Sequence, residues 1–138
     1  MIDSTLCEQD SCKLAKAYNP EDSETYTKIE PEMGIEIEYG SGTVVGLLSK
    51  DDLYMGGVKG KQITFFQIIQ EEKIFQSPIF SGILGFGFPS KFEAGVLSPV
   101  LDTLLDQGAI KEPVFAFEMV RDQEGSVLTL GYYNKEHF

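Results

Sequence analysis

Two cysteines and one histidine are the side chains in this sequence most often recruited for chemistry, and their spacing sets narrow limits. Cys7 and Cys12 stand in a C-x4-C arrangement with no second pair, and His137 lies far from both near the chain end. A closed zinc site built from Cys and His needs more such side chains than these, so no metal is expected. Two readings remain open for the pair: a small local disulfide in an oxidising compartment, or two reduced cysteines in a cytosolic chain. His137, with no Cys or His at ligand spacing, reads as a solvated residue. Gly82, Gly85 and Gly87 superficially resemble a dinucleotide loop, but the spacing is wrong and no helix start follows to receive a phosphate. No cofactor is expected.

Any site must be held by a chain of 138 residues that is 42% hydrophobic and 12% aromatic, enough for one core and too short to expect two. The 14 glycines, 10 phenylalanines and 6 tyrosines, with many Val, Ile and Thr, favour short strands and tight turns over a helical bundle. The fold class expected is all-β, with one or two short helices. With 11 basic against 22 acidic residues the formal net charge is −11, which repels phosphate backbones and anionic membrane surfaces alike. No nucleic acid partner is expected. The acidity suits a protein that works in acid, where part of the carboxylate charge is neutralised, and equally suits an ordinary solvated surface. Even the uncharged run Ser77 to Ser90 is broken by Gly and Pro and falls short of the roughly 20 apolar residues that cross a bilayer, so no membrane insertion is expected. The start, Met1 to Thr5, lacks the basic and apolar regions of a signal peptide. The expectation is a protein that stays inside the cell or one whose true beginning lies upstream.

Residues 1–33 are polar and turn-rich, with breaks at Asn19-Pro20 and Glu30-Pro31, and read as an irregular surface segment. From Gly34 the texture changes. Ile35, Ile37 and Tyr39 alternate with Glu36 and Glu38, the period of a half-buried strand, and Gly40-Ser41-Gly42 leads into the β-branched run Thr43 to Leu48. Residues 34–48 thus predict a hairpin with a Gly-rich tip. A second hairpin is predicted from Asp52–Met55, the turn Gly56-Gly57, and a strand from Gln62 to Gln70. Residues 79–88 are almost wholly apolar and laced with glycine, which predicts a strand deep in the core where backbone approaches backbone closely. Ser98-Pro99, an apolar face of Val100, Leu101, Leu104 and Leu105, and a stop at Gly108 predict a helix over 98–108. Val114–Val120 and Ser126–Leu130 then read as a last strand pair around Gln123-Glu124-Gly125.

Taken in order, several of these segments resemble the N-terminal lobe of the pepsin-like aspartic proteases, peptidase family A1. The loop Cys7 to Cys12 resembles that family's short disulfide loop, and Tyr18-Asn19-Pro20 through Tyr26 its F-x-P-x-x-S-S-T-Y stretch. Ile37-Glu38-Tyr39-Gly40-Ser41-Gly42 resembles the substrate-covering flap. Phe80-Ser81-Gly82-Ile83-Leu84-Gly85 resembles the F-D-G-I-L-G strand, and Phe88-Pro89-Ser90 the Y-P-S after it. Val96 to Gly108 resembles the family's helix, and Ser126 to Gly131 its S-E-L-x-x-G-G stretch. Ser81 stands where the family usually has an acidic residue, and Gly131-Tyr132 replaces a glycine pair.

The resemblance implies a partial lobe over 1–138, substrate-binding roles for Tyr39, Gly40 and Ser41 in the flap and for Phe80 and Ile83 in a hydrophobic pocket, and a Cys7–Cys12 disulfide. By their types alone Phe80 and Ile83 are equally at home in a core. It also implies a peptide or protein substrate and a secreted or lysosomal (vacuolar) location. The family's chemistry needs two aspartates on Asp-Thr/Ser-Gly turns, whose mutual repulsion lets the pair activate a water. Neither triplet occurs here; Asp3-Ser4-Thr5 lacks the glycine and sits too close to Cys7. No catalytic residue is therefore assigned. The expectation is a fragment of an aspartic endopeptidase that is inactive without the first catalytic strand and the C-terminal lobe. The alternative is a non-catalytic β module that binds peptides or regulates. A further possibility is that the fragment does not fold alone.

Overall fold

The computed structural model describes residues 1–30, 32, 34–39, 42–72, 79–88, 98–121 and 124–135. Gly40 and Ser41, expected at the flap tip, Pro89-Ser90, the start of the Val96 stretch, Gln123 and His137 lie outside them. The described elements are β1 (Ile2–Asp3), β2 (Thr27–Lys28), β3 (Ile35–Tyr39), β4 (Gly42–Met55), β5 (Val58–Glu71), α1 (Val100–Asp106), β6 (Phe115–Glu118) and β7 (Val127–Leu130), with 3-10 turns at Asp10–Lys13 and Pro20–Asp22. The all-β expectation, with one short α-helix, holds. No helix among the described residues is long and apolar enough to cross a membrane.

The chain forms two compact units, each with its own buried cluster, where its length led one to expect a single core. The first, Met1–Leu53 with Lys61–Gly85, is a sheet in the order β1-β5-β4-β2, with β3 also paired to β4. β3 and β4 run antiparallel in the register Ile35↔Gly46 to Tyr39↔Gly42, so the alternation in the sequence becomes a hairpin with Ile35 and Ile37 half-buried and Glu36 and Glu38 turned between them. Val44, Phe66 and Ile68 form the buried core, with Met1, Ile35, Ile37 and Leu48 packed on it.

Two expectations are corrected in this unit. The strand predicted to end at Leu48 and the one predicted to begin at Asp52 are a single strand, β4. Ser49 and Asp51 look like a polar break, but both are buried with partners: Gln67 Nε2 donates to Ser49 Oγ at 2.6 Å, and Asp51 collects hydroxyls described below. A polar residue whose hydrogen bonds are met inside the fold need not interrupt a strand. Residues 1–33 are likewise not wholly irregular. β1 pairs parallel to β5, Ile2↔Gln67 and Asp3↔Ile68, and Ser4 Oγ donates to Gln67 Oε1 at 2.9 Å in full burial. Gln67 thus joins β1's end to β4 through a buried Ser4–Gln67–Ser49 chain, a signal invisible in local periodicity.

The second unit holds Tyr54–Gly60 and the described residues from Phe86 on. The tip of the β4–β5 hairpin is Gly56-Gly57, at φ +56° and +82°, a pair of left-handed residues whose twist matches the flanking strands. Leu101 and Leu104, spaced to share one helix face, bury against Ile110, with Val58, Phe86, Val100, Leu105, Ala109 and Leu130 around them. Burying Leu104 fully is worth about 2 kcal/mol. The helix is shorter than predicted: Ser98 and Pro99 precede it, and no side chain caps its start. Its end follows the expectation at Gly108, whose amide donates to Leu105 O while Ala109 N donates to Leu104 O, the paired bonds that close a helix around a left-handed residue. β6 and β7 pair from Phe115↔Leu130 to Glu118↔Val127.

Candidate functional site

Three of the residues assigned to substrate binding, Tyr39, Phe80 and Ile83, lie in the first unit. Tyr39 ends β3, the strand whose one partner among the described residues is β4, and its hydroxyl donates to Met1 Sδ at 3.4 Å. Met1 also pairs with the 79–88 segment: its terminal amine donates to Ile83 O at 2.9 Å and Ile83 N donates to Met1 O at 2.9 Å. One residue beyond, Asp3 N donates to Ser81 O at 2.7 Å, and Ile2 bridges Gly82. Met1 therefore ties Tyr39 to the hydrophobic segment. No sequence signal marked it, because its role rests on backbone hydrogen bonds that any residue can make.

Gly82 explains why the segment comes so close. A Cβ at that position would stand 2.2 Å from Met1 O and 2.8 Å from the Cα of Ile2, so a side chain there displaces β1. The predicted close approach of backbone to backbone is found. The predicted burial is not: Phe80 is 46% exposed and Ile83 47%, and Ile79, Leu84 and Phe88 also face solvent. Nor does the segment form a regular strand; it is extended, with a single bridge at Gly82. A strand buried on both faces needs neighbours on both edges and a layer over each face. Among the described residues this one is paired with Met1–Asp3 alone, so most of its apolar side chains stay open, Phe86 excepted.

Cys7 and Cys12 are joined in a disulfide, Cα to Cα 6.2 Å, and both are buried. The adjoining loop is anchored by a cluster the sequence did not reveal. Asp51, on β4, accepts from Tyr18 Oη at 2.6 Å, Ser23 Oγ at 2.9 Å, Thr25 Oγ1 at 2.5 Å and the Asp52 amide at 2.7 Å. Burial alone would raise its pKa; the Thr25, Tyr18 and Ser23 hydroxyls and the Asp52 amide overcome that and hold the carboxyl below its usual range. Burial, with the adjacent Asp51 hydrogen bond and charge, raises the Tyr18 phenol well above its ordinary value. The Tyr18 ring meets Phe65 edge-on at 5.0 Å. This cluster fixes residues 18–25 on the sheet and carries no catalytic geometry.

The model of the eukaryotic aspartyl proteases matches residues 2–138. The chain belongs to that family. Among curated relatives of this aspartyl protease chain, mouse (Mus musculus) Napsin-A is 36% identical over 143 residues, covering 99% of this chain and 33% of the relative. Human (Homo sapiens) Napsin-A is 37% identical over 131 residues, covering 92% and 30%. Mouse Cathepsin E is 31% identical over 141 residues, covering 99% and 35%. The chain thus spans about a third of the length of these relatives. Its strand-rich architecture is that of part of a pepsin-like lobe, as the collinear motifs led one to expect.

Proposed function

We propose that this chain supplies one wall of the peptide-binding cleft of an aspartic endopeptidase, with Tyr39, Gly40 and Ser41 covering the substrate and Phe80 and Ile83 receiving an apolar side chain of it. The observation that carries this reading is Met1, hydrogen-bonded to Tyr39 on one side and to Ile83 on the other, with Phe80 and Ile83 open to solvent. An extended peptide would lie along the hairpin, gaining main-chain hydrogen bonds from the backbone and specificity from the apolar side chains. Hydrolysis needs an aspartate pair that these residues do not contain, so the chain binds peptide and does not cleave it by itself. The Cys7–Cys12 disulfide supports folding in an oxidising compartment, in keeping with a secreted or lysosomal route.

The test is a titration of the isotope-labelled chain with a hydrophobic peptide, read by amide chemical shifts, beside a cleavage assay in acid. Saturable shifts at Tyr39, Phe80 and Ile83 without cleavage are expected. Tyr39→Ala should weaken binding by about tenfold, or about 1.4 kcal/mol. Absence of any saturable shift would sink the cleft reading, and turnover by the chain alone would sink its dependence on absent aspartates.

A further inference from the structure

Where β1 pairs with β5, two buried carboxylates, Asp3 and Glu71, lie close together with no counter-charge among the described residues. Asp3 is 6% exposed and Glu71, on β5, is 4% exposed; their oxygens and Cys12 Sγ all lie within 4.8 Å of one another. Among the described residues neither oxygen of Glu71 has a hydrogen-bond partner, although its amide donates to Gln9 Oε1 at 2.7 Å. A buried ionised carboxylate without partners is among the most costly groups a fold can hold, and two together are costlier. Among the described residues the neighbouring elements bring no relief. The 3-10 turn Asp10–Lys13 contributes Cys12, which is locked in its disulfide, while its Lys13 is paired with Asp10 at the surface. Tyr18 meets Asp3 through its backbone amide alone and sends its phenol to Asp51. The terminal amine of Met1 is engaged by Ile83 O. A disulfide sulfur is no thiolate, so among the described residues the cluster offers a cation two carboxylates, fewer donors than a hard divalent ion takes. A proton satisfies the pair with the least.

We propose that Asp3 and Glu71 hold a proton between them in acid and release it to solvent toward neutral pH, so that β1 is latched onto β5 in acid and loosened near neutrality. Burial, and then the Glu71 charge, push the Asp3 carboxyl up to about 6, which puts the release between acid and neutral conditions. The latch sits where it can be felt. β1 is held by Ser4 N to Ile68 O, at 3.2 Å, immediately beside the pair, and it carries Met1, the residue joining Tyr39 to Ile83. Loosening β1 therefore loosens that junction too. The effect on peptide binding rests on the cleft reading above; the latch itself does not.

The experiment is a carbon-13 titration of the side-chain carboxyls in the full chain, disulfide intact, from about pH 3 to about pH 8, with amide exchange measured across the same range. The Asp3 carboxyl should titrate near 6, as burial and the like charge require. Corrected for intrinsic rates, exchange at Ser4 and Ile83 should be at least about tenfold faster at neutral pH than in acid. In Glu71→Gln the Asp3 midpoint should fall, and the exchange difference should shrink to within about twofold. Asp3→Asn removes the proton site from the other side and should flatten exchange in the same way if Glu71→Gln does not fold. Both carboxyls titrating in the ordinary range, exchange indifferent to pH, or protection restored at neutral pH by calcium chloride alone would each overturn the latch. Tyr39→Ala, which tests the cleft, should leave the titration unchanged, so the two readings fail separately.

Discussion

Asp51 and Asp3 are both buried aspartates anchored on one sheet, yet their surroundings drive them in opposite directions. Around Asp51 the segment 18–25 has placed three hydroxyls and a backbone amide, and the carboxylate is held ionised. Asp3 faces Glu71 instead and is pushed up to about 6 by burial and by that second carboxylate. Burial is common to both; donors decide the outcome. A buried acid is therefore a fastener or a sensor according to what an irregular loop brings to it, and this chain holds one of each.

The largest effect should come from emptying the well-supplied site. Asp51→Ala leaves the Tyr18, Ser23 and Thr25 hydroxyls without their acceptor; because the loop is partly open, water can recover some of them, and the expected loss is about 3 kcal/mol in a denaturant titration. Tyr18→Phe keeps the ring against Phe65 and removes one charge-assisted bond, for a loss of about 1.5 kcal/mol. Glu71→Gln acts on the poorly supplied site and reverses the sign: at neutral pH it should stabilise the chain by about 1 kcal/mol and do little in acid.

The pH dependence of melting separates the two aspartates without mutation. Asp51 is depressed, so its contribution is complete above the ordinary aspartate value and is lost as pH falls through the lower folded value. Asp3 is raised, so the folded chain binds the extra proton between 3.8 and about 6, and stability falls as pH rises through that window. The melting temperature should thus peak at roughly pH 4. A peak at neutral pH would mean that Asp3 ionises as freely in the fold as out of it.

Most of the local architecture was legible in the residues. Alternation at Ile35–Tyr39, the glycine pair at 56–57, the stop at Gly108 and the C-x4-C loop each have a short-range cause, and each appears in the structure. What escaped depends on partners distant in sequence. Ser4, Ser49 and Gln67 are polar residues that periodicity places at a surface, and they are buried because they satisfy one another across up to 63 positions. The same blindness hid Asp51, whose three hydroxyl donors lie 26 to 33 residues upstream. For the candidate site, type and motif pointed to Tyr39, Phe80 and Ile83, but hydrophobicity misjudged how much of the 79–88 segment would be covered, because covering depends on neighbours that the segment's own residues do not encode.

The contact at Gly82 has a consequence for how this surface tolerates change. Side chains on either side of it point to solvent, so a saturation library should accept many replacements at Phe80 and Ile83 while rejecting nearly all at 82, where even a methyl group would meet Met1 O. The apolar segment behaves like a rail clipped at one point: its solvent-facing texture can be rewritten residue by residue, provided the clip keeps its shape.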